Sequence, residues 1–67
     1  MNRNQLIAKI RKLARKTETE FDVNKQKGNG SHYVVTFGTK WTTLQSDLNP
    51  GRIERALKQL DIDPADL

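Results

Sequence analysis

Cysteine is absent from the 67 residues, proline occurs twice, and histidine and tryptophan occur once each. Without thiols the chain can build neither a disulfide framework nor a thiolate zinc site, which fits a reducing compartment and makes the cytoplasm the expected location. One histidine and a single carboxylate cluster, Asp61, Asp63 and Asp66, fall short of the converging ligands that metal catalysis uses, and Asp63 before Pro64 reads instead as the cap of a terminal turn. No metal and no cofactor are expected. Apolar runs stop after a few residues, as at Tyr33-Val34-Val35, far below the roughly 20 that a membrane helix needs, and the segment after Met1 has no signal-peptide pattern.

What the chain does contain is charge. Charged residues make up 30% against 34% hydrophobic, and 12 Lys+Arg against 8 Asp+Glu leave a net charge of +4. Leu, Ile, Val and Phe supply about a quarter of the residues, just above the roughly 20% level below which disorder is the default. Residues 1–67 therefore read as one small domain. A core of this size rarely nets more than about 3 to 5 kcal/mol, which excludes a deep substrate cavity and the large-cofactor enzymes.

From Asn4 to Lys16, Leu6, Ile7, Ile10, Leu13 and Ala14 recur at the spacing of one helical stripe. The rest of that helix carries Lys9, Arg11, Lys12, Arg15 and Lys16 with no carboxylate among them. Thr19 to Lys25 alternates with a period of two and predicts a strand. Lys27-Gly28-Asn29-Gly30 follows, an Asn-Gly hairpin signal. Ser31 to Phe37 predicts a second strand, with Tyr33, Val35 and Phe37 on one face and His32, Val34 and Thr36 on the other. After Gly38-Thr39-Lys40 a third strand is expected at Trp41 to Gln45. Asn49-Pro50 then opens a second helix from about Pro50 to Leu60, with Ile53, Ala56, Leu57 and Leu60 at helical spacing. The order α-β-β-β-α predicts an α+β two-layer sandwich, a three-stranded antiparallel sheet with both helices on one face.

Few residues can carry chemistry. Histidine is the side chain whose ordinary pKa, about 6.5, suits proton exchange near neutral pH, and His32 is the only one in the chain. Alternation places it opposite Tyr33, Val35 and Phe37, on the sheet face that the helices leave open. Lys27-Gly28-Asn29-Gly30-Ser31 lacks the Lys-Ser/Thr ending of a P-loop and leads into a strand, so it reads as a turn. The alternative is that its amides, with Lys25, Lys27 and Lys40 around the start of the second strand, approach a phosphate. The basic face of the first helix, Lys12 at its middle, has the electrostatic character of a polyanion-binding surface. Trp41 and Tyr33 can stack on bases, but burial is the expectation for Trp41, since large rings dominate the cores of small domains.

Taken in order, Gly30-Ser31-His32-Tyr33, Thr42-Thr43-Leu44, Asp47-Leu48-Asn49-Pro50-Gly51-Arg52-Ile53 and Ala56-Leu57-Lys58-Gln59-Leu60-Asp61-Ile62 resemble the HicA family of toxin mRNA interferases. The likeness runs from Leu6 to Leu67. It implies a double-stranded-RNA-binding-domain-like fold, ribosome-independent cleavage of mRNA as the toxin of a toxin-antitoxin system, and neutralisation by a HicB-type antitoxin that covers the active face. His32 matches the family's catalytic position and Gly30 and Ser31 its lead-in. The chain departs from the pattern in having Thr17-Glu18-Thr19-Glu20-Phe21 where a Gly-aromatic pair is common, and in having no second histidine.

Without a metal, RNA is broken by attack of its own 2′-hydroxyl on the adjacent phosphate, which needs proton transfer and positive charge. His32 is the expected acid or base, Lys25, Lys27 and Lys40 the expected phosphate partners, and Ser31 a positioning group. Two other readings remain open at the level of sequence. One is a non-catalytic double-stranded-RNA-binding module using the first helix and the 28–31 turn; the other is a purely protein-binding domain.

Overall fold

Leu6, Ile7, Ile10 and Ala14 form the buried stripe of helix α1 (Arg3–Thr17) in the computed structural model, which describes residues 1–25 and 32–67. A capping box starts it. Asn2 Oδ1 accepts from the Gln5 backbone N–H at 2.8 Å, and Gln5 Oε1 accepts from the Asn2 N–H at 2.9 Å, so two backbone donors that the helix cannot satisfy find partners. At the other end Glu18 takes the left-handed conformation, φ 53°, and the Thr19 N–H donates to the Ala14 carbonyl at 2.9 Å. That bond commits Thr19 to the helix end. The first strand, expected from Thr19, consequently begins at Phe21.

Strands β1 (Phe21–Lys25), β2 (His32–Phe37) and β3 (Lys40–Gln45) form one antiparallel sheet in the order β1-β2-β3. The expected Asn-Gly turn, with Lys27, Gly30 and Ser31, lies outside the described residues. Between β2 and β3 the loop is Gly38-Thr39, with Gly38 at φ 64°, the positive φ that a hairpin turn with glycine at its first position requires. So short a loop makes Phe37 and Lys40 partners. It starts β3 one residue earlier than the expected Trp41 and fixes every pairing behind it.

Helix α2 (Pro50–Gln59) is capped by Asn49, whose Oδ1 accepts from the Arg52 N–H at 2.8 Å, with Pro50 at the first helical position. The expected end at Leu60 becomes the C-cap. A 3-10 turn (Pro64–Asp66) closes the chain, its Asp63 Oδ1 accepting from the Ala65 N–H at 3.0 Å, as its sequence suggested.

The core joins Leu6, Ile7 and Ile10 of α1 and Ala56, Leu57 and Leu60 to Val35 and Leu44 of the sheet, giving the α-β-β-β-α arrangement with one apolar sheet face turned to the helices. Tyr33 and Phe37 pack on the rim of this core and Val35 lies at its centre. Trp41 breaks the expectation: it is 64% exposed. Thr42 and Leu44 are the buried residues of β3, and strand alternation turns Trp41, Thr43 and Gln45 the other way. Thr42 is accommodated inside because its hydroxyl donates to the Gln59 side chain of α2. Among the described residues, no helix is long and apolar enough to cross a membrane.

Candidate active site

His32 opens β2 on the sheet face away from the helices, half-buried. Register places it directly opposite Gln45, the last residue of β3, where facing side chains stand about 5 Å apart at their Cβ atoms. Gln45 is not an idle neighbour, because its Oε1 accepts a hydrogen bond from Arg52 Nη1 at 2.6 Å. The same nitrogen donates to the Asp47 carbonyl and to Asp47 Oδ1, both at 3.2 Å. The Asn49 cap sets where α2 begins, and Arg52 is the residue whose backbone N–H that cap holds. Strand pairing and helix cap thus bring an imidazole, an amide and a guanidinium to one end of the sheet.

All three contacts of the Arg52 side chain use Nη1. The remaining guanidinium donors have no partner among the described residues, and their planar fork matches two oxygens of a phosphate. Asp47 holds the guanidinium only loosely. The side chains are 47% and 84% exposed, and ion pairs in such surroundings contribute about 0 to 1 kcal/mol, so an incoming phosphate can displace the carboxylate.

The expected phosphate partners divide. Lys25 ends β1 opposite Tyr33, at the His32 end of the sheet but on the side of the helices. Its Nζ lies 5.6 Å from the Tyr33 ring centre, and the Arg3 guanidinium carbon lies 3.6 Å from the same ring. Lys40 does not join them. It pairs with Phe37, and five residues of strand, about 17 Å, separate that end of β2 from His32. Lys12 is exposed on α1, in the layer behind the sheet, and lines a shallow groove with Lys9, Lys16 and the C-terminal Leu67. Asp61, Asp63 and Asp66 are solvated or capping, and among the described residues no three acidic or histidine side chains gather into a metal-sized cluster.

Gln45 and Arg52 are absent from the sequence expectations. Their signal was available: a two-residue loop at Gly38-Thr39 pairs Phe37 with Lys40, and counting outward from that pair puts residue 45 opposite residue 32. Comparison of the chain with protein-family models, curated proteins and solved structures returns no match, so the reading of this site rests on its own residues.

Proposed function

We propose that this chain is an endoribonuclease of the HicA toxin type, with a double-stranded-RNA-binding-domain-like fold, cleaving mRNA through His32 without a metal. The observation that carries the reading is the pairing of His32 with Gln45 while Gln45 holds Arg52. It sets a proton-transfer group beside a cation that suits a pentacovalent phosphate. The 2′-oxygen of the RNA forms a bond to phosphorus, the bond from phosphorus to the 5′-oxygen breaks, and a 2′,3′-cyclic phosphate remains. His32 takes the 2′-hydroxyl proton or protonates the departing 5′-oxygen, and water at this open face completes the other transfer. One such group contributes about 10² to 10⁴ in rate. Arg52 contributes where negative charge develops, and Gln45 keeps the guanidinium aimed.

The chain's positive charge suits an acidic antitoxin of the HicB type that covers the His32 face, since complementary charge speeds encounter. Expression of the wild type beside His32→Ala, with growth and transcript integrity followed, tests the reading. Wild type is expected to arrest growth and, when purified, to cut RNA in EDTA with cyclic phosphate ends while leaving DNA intact. His32→Ala is expected to lose about 10² to 10⁴ of this activity. Cleavage that needs a divalent ion, attacks DNA or proceeds undiminished in His32→Ala overturns it.

One observation favours a second reading, a non-catalytic duplex-binding module. Lys9, Lys12 and Lys16 are exposed in a row on α1, in the layer opposite His32, as a surface spanning the phosphates of an RNA helix requires. Under that reading neither protein cuts RNA and both bind duplex equally.

A further inference from the structure

We infer that Trp41 is a stacking site for an unpaired RNA base, about two nucleotides from the phosphate that His32 and Arg52 address. The inference rests on the nuclease reading for the role of His32, while the base site itself stands on three observations of its own.

The first is exposure. Trp41 is the chain's one tryptophan, and a small core gains most from burying such a ring, yet it stands 64% exposed. A lone surface hydrophobe is ordinary; this one shares a sheet face with the histidine.

The second is position. Trp41 pairs with Thr36, four residues along β2 from His32, a distance of about 13 Å. Between them lies the Val34 and Thr43 pair, with no large ring among the described residues to block a chain lying flat. An extended RNA strand covers that span in about two nucleotides.

The third is charge. Asp22, across β2 opposite Thr36, is a carboxylate on this face and repels phosphates from the β1 side. Cations stand at both ends of the β3 edge: Arg52, held by Gln45, and exposed Lys40, which pairs with Phe37 and so leaves the backbone on the helix side of that edge. Phosphates following β3 from Lys40 to Arg52 leave the bases over the uncharged middle of the sheet, which is the division of labour that single-strand binders use. Lys40, remote from His32, thereby acquires a phosphate of its own. A protein that covers this face has to extend well past it, since three strands of this length cover roughly 240 Å² against the roughly 800 Å² per partner of a standard interface, whereas a short single strand fits within it.

Because Trp41 is the only tryptophan, its emission reports on this site alone. Titration with a DNA hexamer, which offers bases but no 2′-hydroxyl, is expected to quench the emission of both wild type and His32→Ala, and a duplex of the same sequence is expected to leave it unchanged. By anisotropy of a labelled hexamer, Trp41→Ala should bind about 5- to 150-fold more weakly, the range for loss of one stacked base, and Trp41→Phe should retain most of the affinity. A DNA hexamer with one ribonucleotide confines cleavage to a single position. An abasic site walked along it should slow cutting chiefly at about two nucleotides from the ribose. Absence of quenching, or Trp41→Ala binding as tightly as wild type, overturns the site even where His32→Ala has lost cleavage. Equal slowing at every abasic position overturns the spacing. Quenching with no cleavage by either protein keeps the base site and removes the nuclease reading. If oligonucleotides leave the emission unchanged while Trp41→Ala sheds a copurified protein, the face belongs to a protein partner and the base site falls.

Discussion

Arg52 depends on two small neighbours. Asn49 fixes its backbone at the helix start and Gln45 fixes one nitrogen of its side chain, so the guanidinium is aimed before any phosphate arrives. Arg52→Gln is expected to slow RNA cleavage by about 10- to 100-fold, below the roughly 10² to 10³ of an enclosed preorganised donor, because solvent reaches this one. Arg52→Lys should recover little, since a point charge on a flexible stem replaces a planar fork. Asp47→Asn moves the other way. It removes the carboxylate that competes with phosphate, and RNA affinity should rise a few-fold with stability changed by no more than about 1 kcal/mol. Cleavage rates and urea melts of the three variants check this, and an Asp47→Asn chain that binds RNA more weakly would show that the carboxylate positions Arg52 rather than masking it. None of this was legible from residue types: Arg52 lies 20 positions after His32, and only the pairing register and the Asn49 cap bring the two together. His32 itself was legible, because alternation along β2 needs no tertiary information once Val35 is taken as core.

Elements follow their sequence signals where the backbone decides and depart from them where a neighbour competes. The stripe of α1, the Asn49-Pro50 start of α2 and the Asp63 cap were all readable, since each is a local pattern with a local cause. The start of β1 was not, because the Thr19 N–H goes to the end of α1, and a β-branched residue gives no warning of that. Size alone puts Trp41 in the core, whereas it stands on the open sheet face. In a three-stranded sheet with one covered face, the parity set by Leu44 decides, and a ring of any volume on the wrong parity stays outside. Glu18 shows the cost of an element end in a different form. It is a non-glycine residue in the left-handed conformation, φ 53°, which costs roughly 1 kcal/mol that glycine avoids. Glu18→Gly should therefore stabilise the domain by up to about 1 kcal/mol, or about 4 to 8 °C in Tm for a chain of this size, without changing activity. Thermal melts decide it, and a lower Tm would mean that the Glu18 side chain supports the helix end in a way its geometry does not reveal.

At the scale of the molecule, charge is distributed between two layers with different consequences. The α1 surface carries Lys9, Lys12 and Lys16 in a row, while the sheet face carries His32, and among the described residues two cations mark the ends of the β3 edge beside it, Arg52 held by Gln45 and Lys40 on the helix side. Sequence alone gives the net charge of +4 but not this partition, which follows from which side of the sheet the helices cover. The partition predicts how RNA binding responds to salt. A single strand held along β3 neutralises about two to three phosphates, so the logarithm of its affinity should fall against the logarithm of salt with a slope of about −2. Between 50 and 200 mM salt that is a loss of roughly 10- to 20-fold. Duplex held by α1 through Lys9, Arg11, Lys12, Arg15 and Lys16 should fall with a slope near −4.5, a loss of about 500-fold over the same range. Reversing Lys9, Lys12 and Lys16 to glutamate should leave the single-strand slope nearly unchanged, because those residues lie behind the sheet. Reversing Lys40 and Arg52 should remove most of it. A steep slope that collapses when the α1 lysines are reversed would place the RNA on the helices, and with it the function on the opposite layer from His32.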